Sequence, residues 1–223
     1  MKNKNSQWHS NYDFIYEILP LILSYPHGVF TGSFKPGVSF YKLHFEDVCS
    51  FLGHVCLCGA GGYKIAQLAM ENLKKDSPIL EKDKFTIISS KDHTIGDVVA
   101  IILGCSRRND LRKNKYLIDD SIKANKREYH YHIAYHPNKK AVQIIYRKHL
   151  LIGNEQMDKL WQIELALDKD PHSITESNKK LYQDAMIDLV KDVLWDRKPG
   201  LFEMQSIPYS LFEMNMESMK DNI

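Results

Sequence analysis

Between Phe51 and Met70 the chain places an imidazole and two thiols, His54, Cys56 and Cys58, within five residues, and follows them with Gly59, Gly61 and Gly62 at the head of an apolar-periodic run. Soft donors this close together suit a transition metal, zinc above all, which takes about four thiolate or imidazole ligands at tetrahedral angles. The glycines let the backbone pass close to whatever the sulfurs hold. The free N–H groups of the helical turn that follows favour thiolate over thiol. A metal centre and a reactive thiolate are the two chemistries this stretch can support. The competing reading treats Cys49, Cys58 and Cys105 as small buried apolar residues.

Further donors stand at Cys49, His93 and Cys105. All four cysteines fall in the first half of the chain and none follows Cys105, which speaks for one site rather than a distributed disulfide framework. The spacing lacks the paired two-ligand knuckles of a zinc finger. A centre built into a domain is expected instead, with three protein ligands leaving a position for water or substrate. Arg107 and Arg108, just past Cys105, are candidates for holding an anionic substrate. His130, His132 and His136 alternate along a strand and read as a wet sheet face or a subunit contact.

Positioning these groups requires a folded core, which 223 residues with 43% hydrophobic and 26% charged side chains can build. Thirty basic against 28 acidic residues leave a net charge of +2, so no nucleic-acid footprint is expected. The apolar run Ile18 to Leu23 is far too short to span a bilayer, and no signal-peptide core precedes it. A soluble, cytoplasmic protein is the expectation.

Apolar spacing predicts a helix over 11–25 broken at Pro20, a loop over 26–37, a short helix over 45–52 and a longer one over 60–75. A strand is expected over 84–90. Thr94 and Asp97 are spaced as an N-cap and its third helical residue, which predicts a helix from Ile95 to Leu103 ending at Gly104, with Asp97 alternatively at the metal site. Strands follow over 116–118, 128–136 and 141–148, the last two as a hairpin, with Tyr129, Tyr131 and Tyr135 on one face. Helices are predicted over 154–168 and 175–195, and the segment from Asp196 reads as a tail that wraps on the body or on a partner.

Gly53-His54-Val55-Cys56, then Gly62-Tyr63-Lys64 and the apolar run to Met70, resembles the signature of the FmdE family, named for a component of formylmethanofuran dehydrogenase, in which a Gly-His-x-Cys-Pro-Gly stretch opens a helix. Asp97 to Cys105 resembles that family's second signature, an Asp-Ala-Ile-Gln helix ending in Thr-Gly-Cys. The resemblance covers residues 38–150. This chain departs from it at Leu57-Cys58, where the family has Pro-Gly, and at Thr94, where the family has a cysteine and His93 offers a substitute.

The resemblance implies an α+β fold, an antiparallel sheet packed against helices and similar in topology to the catalytic domain of glyceraldehyde-phosphate dehydrogenases, with an added helical C-terminal segment. It divides the chain into an N-terminal helix and loop (1–37), the metal-binding domain (38–150) and a C-terminal extension (151–223). It also implies a metal held by His54, Cys56 and Cys105, with Cys58 or His93 as the fourth ligand, and a tendency to form homodimers. Zinc is the expected ion, with nickel or iron as other soft divalent choices. Asp97, Tyr63 and Arg107 are the candidate catalytic groups should the protein act on a small anionic substrate. The alternatives are an accessory or metal-handling subunit of a redox complex, and a metal-free enzyme using Cys56 as its nucleophile.

Overall fold

A sheet with a tyrosine-rich inner face supplies the floor on which the candidate site is built. The computed structural model describes residues 6–74, 79–92, 94–105, 113–122, 125 and 127–221. Five strands lie in the order β5 (Tyr116–Ile118), β4 (Phe85–Ser89), β6 (Glu128–Tyr135), β7 (Lys140–Arg147) and β8 (Phe202–Ile207). All pairings are antiparallel except β4 with β5, which run parallel. Strand alternation turns Phe85 and Ile87, Tyr131 and Ile133, and Val142, Ile144 and Tyr146 to one side, where all are buried.

Helices α3 (Leu57–Leu73), α4 (Ile95–Leu103) and α6 (Glu176–Leu194) cover that side and share its core. Small residues let α3 come close. A Cβ at Gly62 would lie 2.6 Å from the Val98 Cβ and 2.9 Å from the Ile95 carbonyl oxygen, so the opening turns of α3 and α4 touch backbone to backbone. At their other ends the Leu103 carbonyl accepts from Asp83 N–H at 3.1 Å, and the Leu73 carbonyl accepts from Asn138 Nδ2 at 2.6 Å. Asn138 lies in the β6–β7 hairpin, where the His136 N–H donates to Lys84 at the start of β4. The two helices therefore run in the same direction, starting together at one end of the sheet and finishing together at the other.

The remaining elements close the edges. β1 (Leu21–Ser24) pairs antiparallel with β2 (Phe40–Leu43) and parallel with β3 (Leu80–Glu81), forming a small second sheet. The short helix α1 (Pro26–Phe30) follows β1, α2 (Phe45–Leu52) leads into the His/Cys loop, and α5 (Asn154–Lys169) packs on α6. Helix α7 (Tyr209–Asp221) covers part of the outer sheet face, burying Phe212 against Ile88, Leu117, Ala134 and Ala141. The mixed α+β architecture with a C-terminal helix agrees with the sequence. One buried core contains residues from Phe14 to Leu201 and so joins the three sequence segments.

Three local expectations are corrected. The predicted helix over 11–25 is a 3-10 helix over Ser10–Glu17 followed by strand β1. Pro20 has no N–H for a helical bond and holds the preceding residue extended, so the apolar run after it finds partners in β2 and β3 instead. The predicted tail is an edge strand, β8, and a helix, α7, because Phe202 and Met204 pack against the sheet core. Thr94 sits at the N-cap of α4 without a side-chain cap bond. Asp92 caps it in its place, its Oδ2 accepting the Gly96 N–H at 3.0 Å and the Tyr131 hydroxyl at 2.5 Å.

Candidate metal centre

The His/Cys loop is held between two helix ends. Gly53, at φ 78°, ends α2 in the left-handed conformation that glycine tolerates, and Cys56 is the N-cap of α3. The Cys56 sulfur accepts the Gly59 N–H at 3.3 Å, a capping bond like those usually made by serine or aspartate. The loop is also wedged by packing. A Cβ at Gly59 would meet Leu52 at 2.8 Å, Val48 at 3.6 Å and the Cys56 sulfur at 3.7 Å, so any larger residue there would displace α2 or the thiol.

Hydrogen bonding sets the state of the sulfurs. Cys56 is lowered to about 7, chiefly by a hydrogen bond from the Cys58 side chain, with the Gly59 and Cys58 amides adding to it against the opposing effect of burial. Cys49, inside α2, behaves oppositely. Burial, with Glu46 nearby, pushes its thiol up to about 12. His54 is exposed on the loop, and its Nδ1 lies 3.0 Å from the Leu52 carbonyl oxygen. A proton on Nδ1 satisfies that contact and leaves Nε2 as the lone-pair nitrogen, which is the tautomer a metal needs.

Cys105 is elsewhere. It follows the last turn of α4, donates its N–H to the Ala100 carbonyl at 2.8 Å, and is buried. Burial raises its thiol well above the usual range, with Lys115 opposing and Asp83 reinforcing the effect. Since α3 and α4 start together, the nine residues of α4, about 13 Å of rise, separate Cys105 from the Cys56 end. The structure thus unites Cys56 and Cys58 beside the His54 loop but does not bring Cys105 to them. The expectation of one ion gripped by His54, Cys56 and Cys105 is replaced for that reason.

The other candidates divide similarly. Tyr63 is buried, and its hydroxyl is committed to the carbonyls of Leu19 at 2.9 Å and Leu43 at 3.1 Å, which makes it a tie between α3 and the small sheet. Asp97 is exposed on the first turn of α4, where a negative charge suits the helix N-terminus. His93, Arg107 and Arg108 lie outside the described residues; the neighbours of His93, Asp92 and Thr94, lie at the α4 end that meets α3.

Tyrosines that the residue spacing did not single out surround the sulfurs. Tyr146 is buried on β7 with its ring against α3, where a Cβ at Gly61 would lie 2.8 Å from a ring carbon. Tyr129 and Tyr146 both feel the charge of Cys58, and burial first of all raises their hydroxyls above the usual tyrosine value. Tyr182 of α6, hydrogen-bonded to Glu164 of α5, is raised in the same way and feels Cys56. The signal for Tyr129 and Tyr146 was present in strand alternation; that for Tyr182 required the packing of α6 on α3.

The donor set fits a soft metal in kind: two adjacent sulfurs and an imidazole of the right tautomer. Among the described residues no three His, Cys, Asp or Glu side chains form a ready-made cage. The sulfur pair is preassembled, and the imidazole has to close onto it.

Fold and site together define an α+β domain with a thiol pair capping a helix that lies on an antiparallel-rich sheet. The chain belongs to the FmdE family: the family model described as FmdE, molybdenum formylmethanofuran dehydrogenase operon, matches residues 51–197, well over half of its length. That span includes α5 and α6, which places both helices within the family domain. Neither the curated proteins nor the solved structures give a match.

Proposed function

We propose that this FmdE-family chain binds a zinc-type transition metal at the N-terminal end of α3, with Cys56, Cys58 and His54 as ligands and the fourth position left to water or substrate. The observation that carries this reading is the state of Cys56: a sulfur held at a helix N-terminus by an amide and a neighbouring thiol, and poised near neutrality to become the thiolate that a metal requires. Zinc suits two sulfurs with imidazole, and nickel and iron are the other ions such donors accept. Bound there, the metal would supply Lewis-acid polarisation of an oxygen in its open position. The chain's own residues bound the site on its inner side with Tyr129, Tyr146 and Tyr182 and keep His54 in its ligating tautomer through the Leu52 carbonyl. An accessory role in a larger assembly fits the same centre.

The test is metal content by elemental analysis of native protein against a Cys56→Ser, Cys58→Ser double variant and a Cys105→Ser variant. The expected result is stoichiometric metal in the native and Cys105→Ser proteins and background metal in the double variant. Equal content in all three refutes the reading.

The lowered Cys56 also supports a second reading, a metal-free thiolate nucleophile. It predicts alkylation of Cys56 that a chelator leaves unchanged, whereas a metal centre predicts protection that a chelator removes.

A further inference from the structure

Two of the cysteines are reachable and lie together, while the other two are sealed. Cys56 and Cys58 are half-buried at the corner where the loop enters α3, whereas Cys49 and Cys105 are only 1% and 3% exposed. The Cys58 side chain is hydrogen-bonded to the Cys56 sulfur, which also accepts the Gly59 N–H at 3.3 Å. A single residue separates the pair, so their Cα atoms could be at most about 7 Å apart even in extended chain. The turn into α3 at Leu57 shortens that distance into the span a disulfide bridges. Gly53 and Gly59 flank the two cysteines and give the backbone around them the freedom to bring sulfur to sulfur. Cys58 stands where the family signature has glycine, so the pair is a property of this chain.

A ring closed by cysteines this near in sequence is strained, and strained, accessible disulfides are the labile ones that exchange with thiols. We propose that Cys56 and Cys58 form a reversible dithiol–disulfide centre whose substrates are low-molecular-weight disulfides and thiols. The Cys56 thiolate attacks one sulfur of an external disulfide, the S–S bond breaks, and one thiolate leaves. Cys58, deprotonated in turn, attacks the Cys56 sulfur of the mixed disulfide, which closes the internal bond and expels the second thiolate. Two electrons pass from the pair to the external disulfide, and the two cysteine protons go to the released thiolates. Excess thiol reverses each step. No metal takes part, and the centre stands whether or not the metal reading does. Once the bond is closed neither sulfur is a thiolate, so oxidation would empty a metal site built on them.

The test treats the reduced, chelator-treated protein with glutathione disulfide and reads free thiols, intact mass and the cysteine map by mass spectrometry. Native protein should lose two of its four free thiols, carry no glutathione, and regain all four with dithiothreitol. Cys58→Ser should instead hold one glutathione on Cys56, because the sulfur that resolves the mixed disulfide is gone. A Cys49→Ala, Cys105→Ala double variant should close the bond as native protein does. Four free thiols after treatment, a lasting glutathione adduct on native protein, or a bond that uses Cys49 overturns the assignment. The native map decides among these outcomes even if a variant does not fold. Metal content of the reduced protein reports on the metal reading separately, so either proposal can fail alone.

Discussion

The paired helices α3 and α4 carry sulfur at both ends, and the ends could hardly differ more. At the shared N-terminal end Cys56 and Cys58 meet free helical amides, a loop imidazole and a tyrosine wall, and Cys56 is lowered to about 7. Near the shared C-terminal end Cys105 is sealed in the core beside a carboxylate and a lysine, and its thiol is raised. Both cysteines sit next to a glycine in the sequence or within three residues of one, and both flank a helix. Hydrogen bonding and burial make the difference: the Cys58 side chain and the first amides of α3 stabilise a thiolate at Cys56, whereas burial disfavours one at Cys105.

The largest effect that tests this contrast is chemical. In metal-stripped protein at neutral pH, Cys56 should alkylate on the order of a thousandfold faster than Cys105, which reacts only when the core opens. Peptide mapping by mass spectrometry reads both. The Cys56 rate should climb with pH through a midpoint about 7, because the thiolate is the reacting form. Comparable rates at both sites would erase the distinction between the ends.

Next in size is Gly62→Val. Its side chain would strike Val98 and the Ile95 carbonyl, driving the two helix starts apart at a cost of about 3 kcal/mol in denaturant unfolding. Metal binding should weaken with it. An unaltered unfolding midpoint would mean that the close approach at Gly62 is not what holds this end together.

Asp92→Ala is expected to be milder, about 2 kcal/mol, because it removes a helix cap and leaves the Tyr131 hydroxyl buried without that partner. Thermal melting measures it, and a loss confined to a few tenths would show that other groups suffice to cap α4.

The smallest effect belongs to the opposite end of the sheet. His136 links Thr86, at 2.8 Å, to Tyr209 of α7, at 2.7 Å, and burial lowers both it and His132 below the usual histidine value. A histidine harder to protonate when folded favours the native state above its unfolded value and the unfolded state below it. Stability should therefore be intact above about 6.5 and decline as pH falls from there towards the folded values. Amide hydrogen exchange in α7 should report this loss first, and exchange there that is the same on both sides of that value would show that these histidines do not hold α7.

Much of this was legible in the sequence because it is local. Tyr129, Tyr131, Ile133 and Tyr135 interleave with His130, His132, Ala134 and His136 as a strand requires, α4 ends on a glycine at φ 77°, and the apolar stripe from Tyr63 to Leu73 marks α3. What was not legible depends on direction. Nothing in the spacing of Cys56 and Cys105 says whether two helices lie parallel or antiparallel, and that one choice decides whether the second sulfur joins the first. The strand at Leu21 was hidden by a helical spacing that Pro20 overrides, and β8 by a segment whose glycine and prolines resemble a tail. Tyr182 and Glu164 enter through α5 and α6, whose place over the thiol pair is a matter of tertiary packing alone.

X-ray absorption at the zinc edge of the loaded protein tests the central claim most directly, because it counts sulfurs around the ion. Two sulfurs at about 2.3 Å with nitrogen and oxygen ligands at about 2.0 Å are predicted, unchanged in Cys105→Ser. Three or more sulfurs, with one lost in Cys105→Ser, would contradict the account.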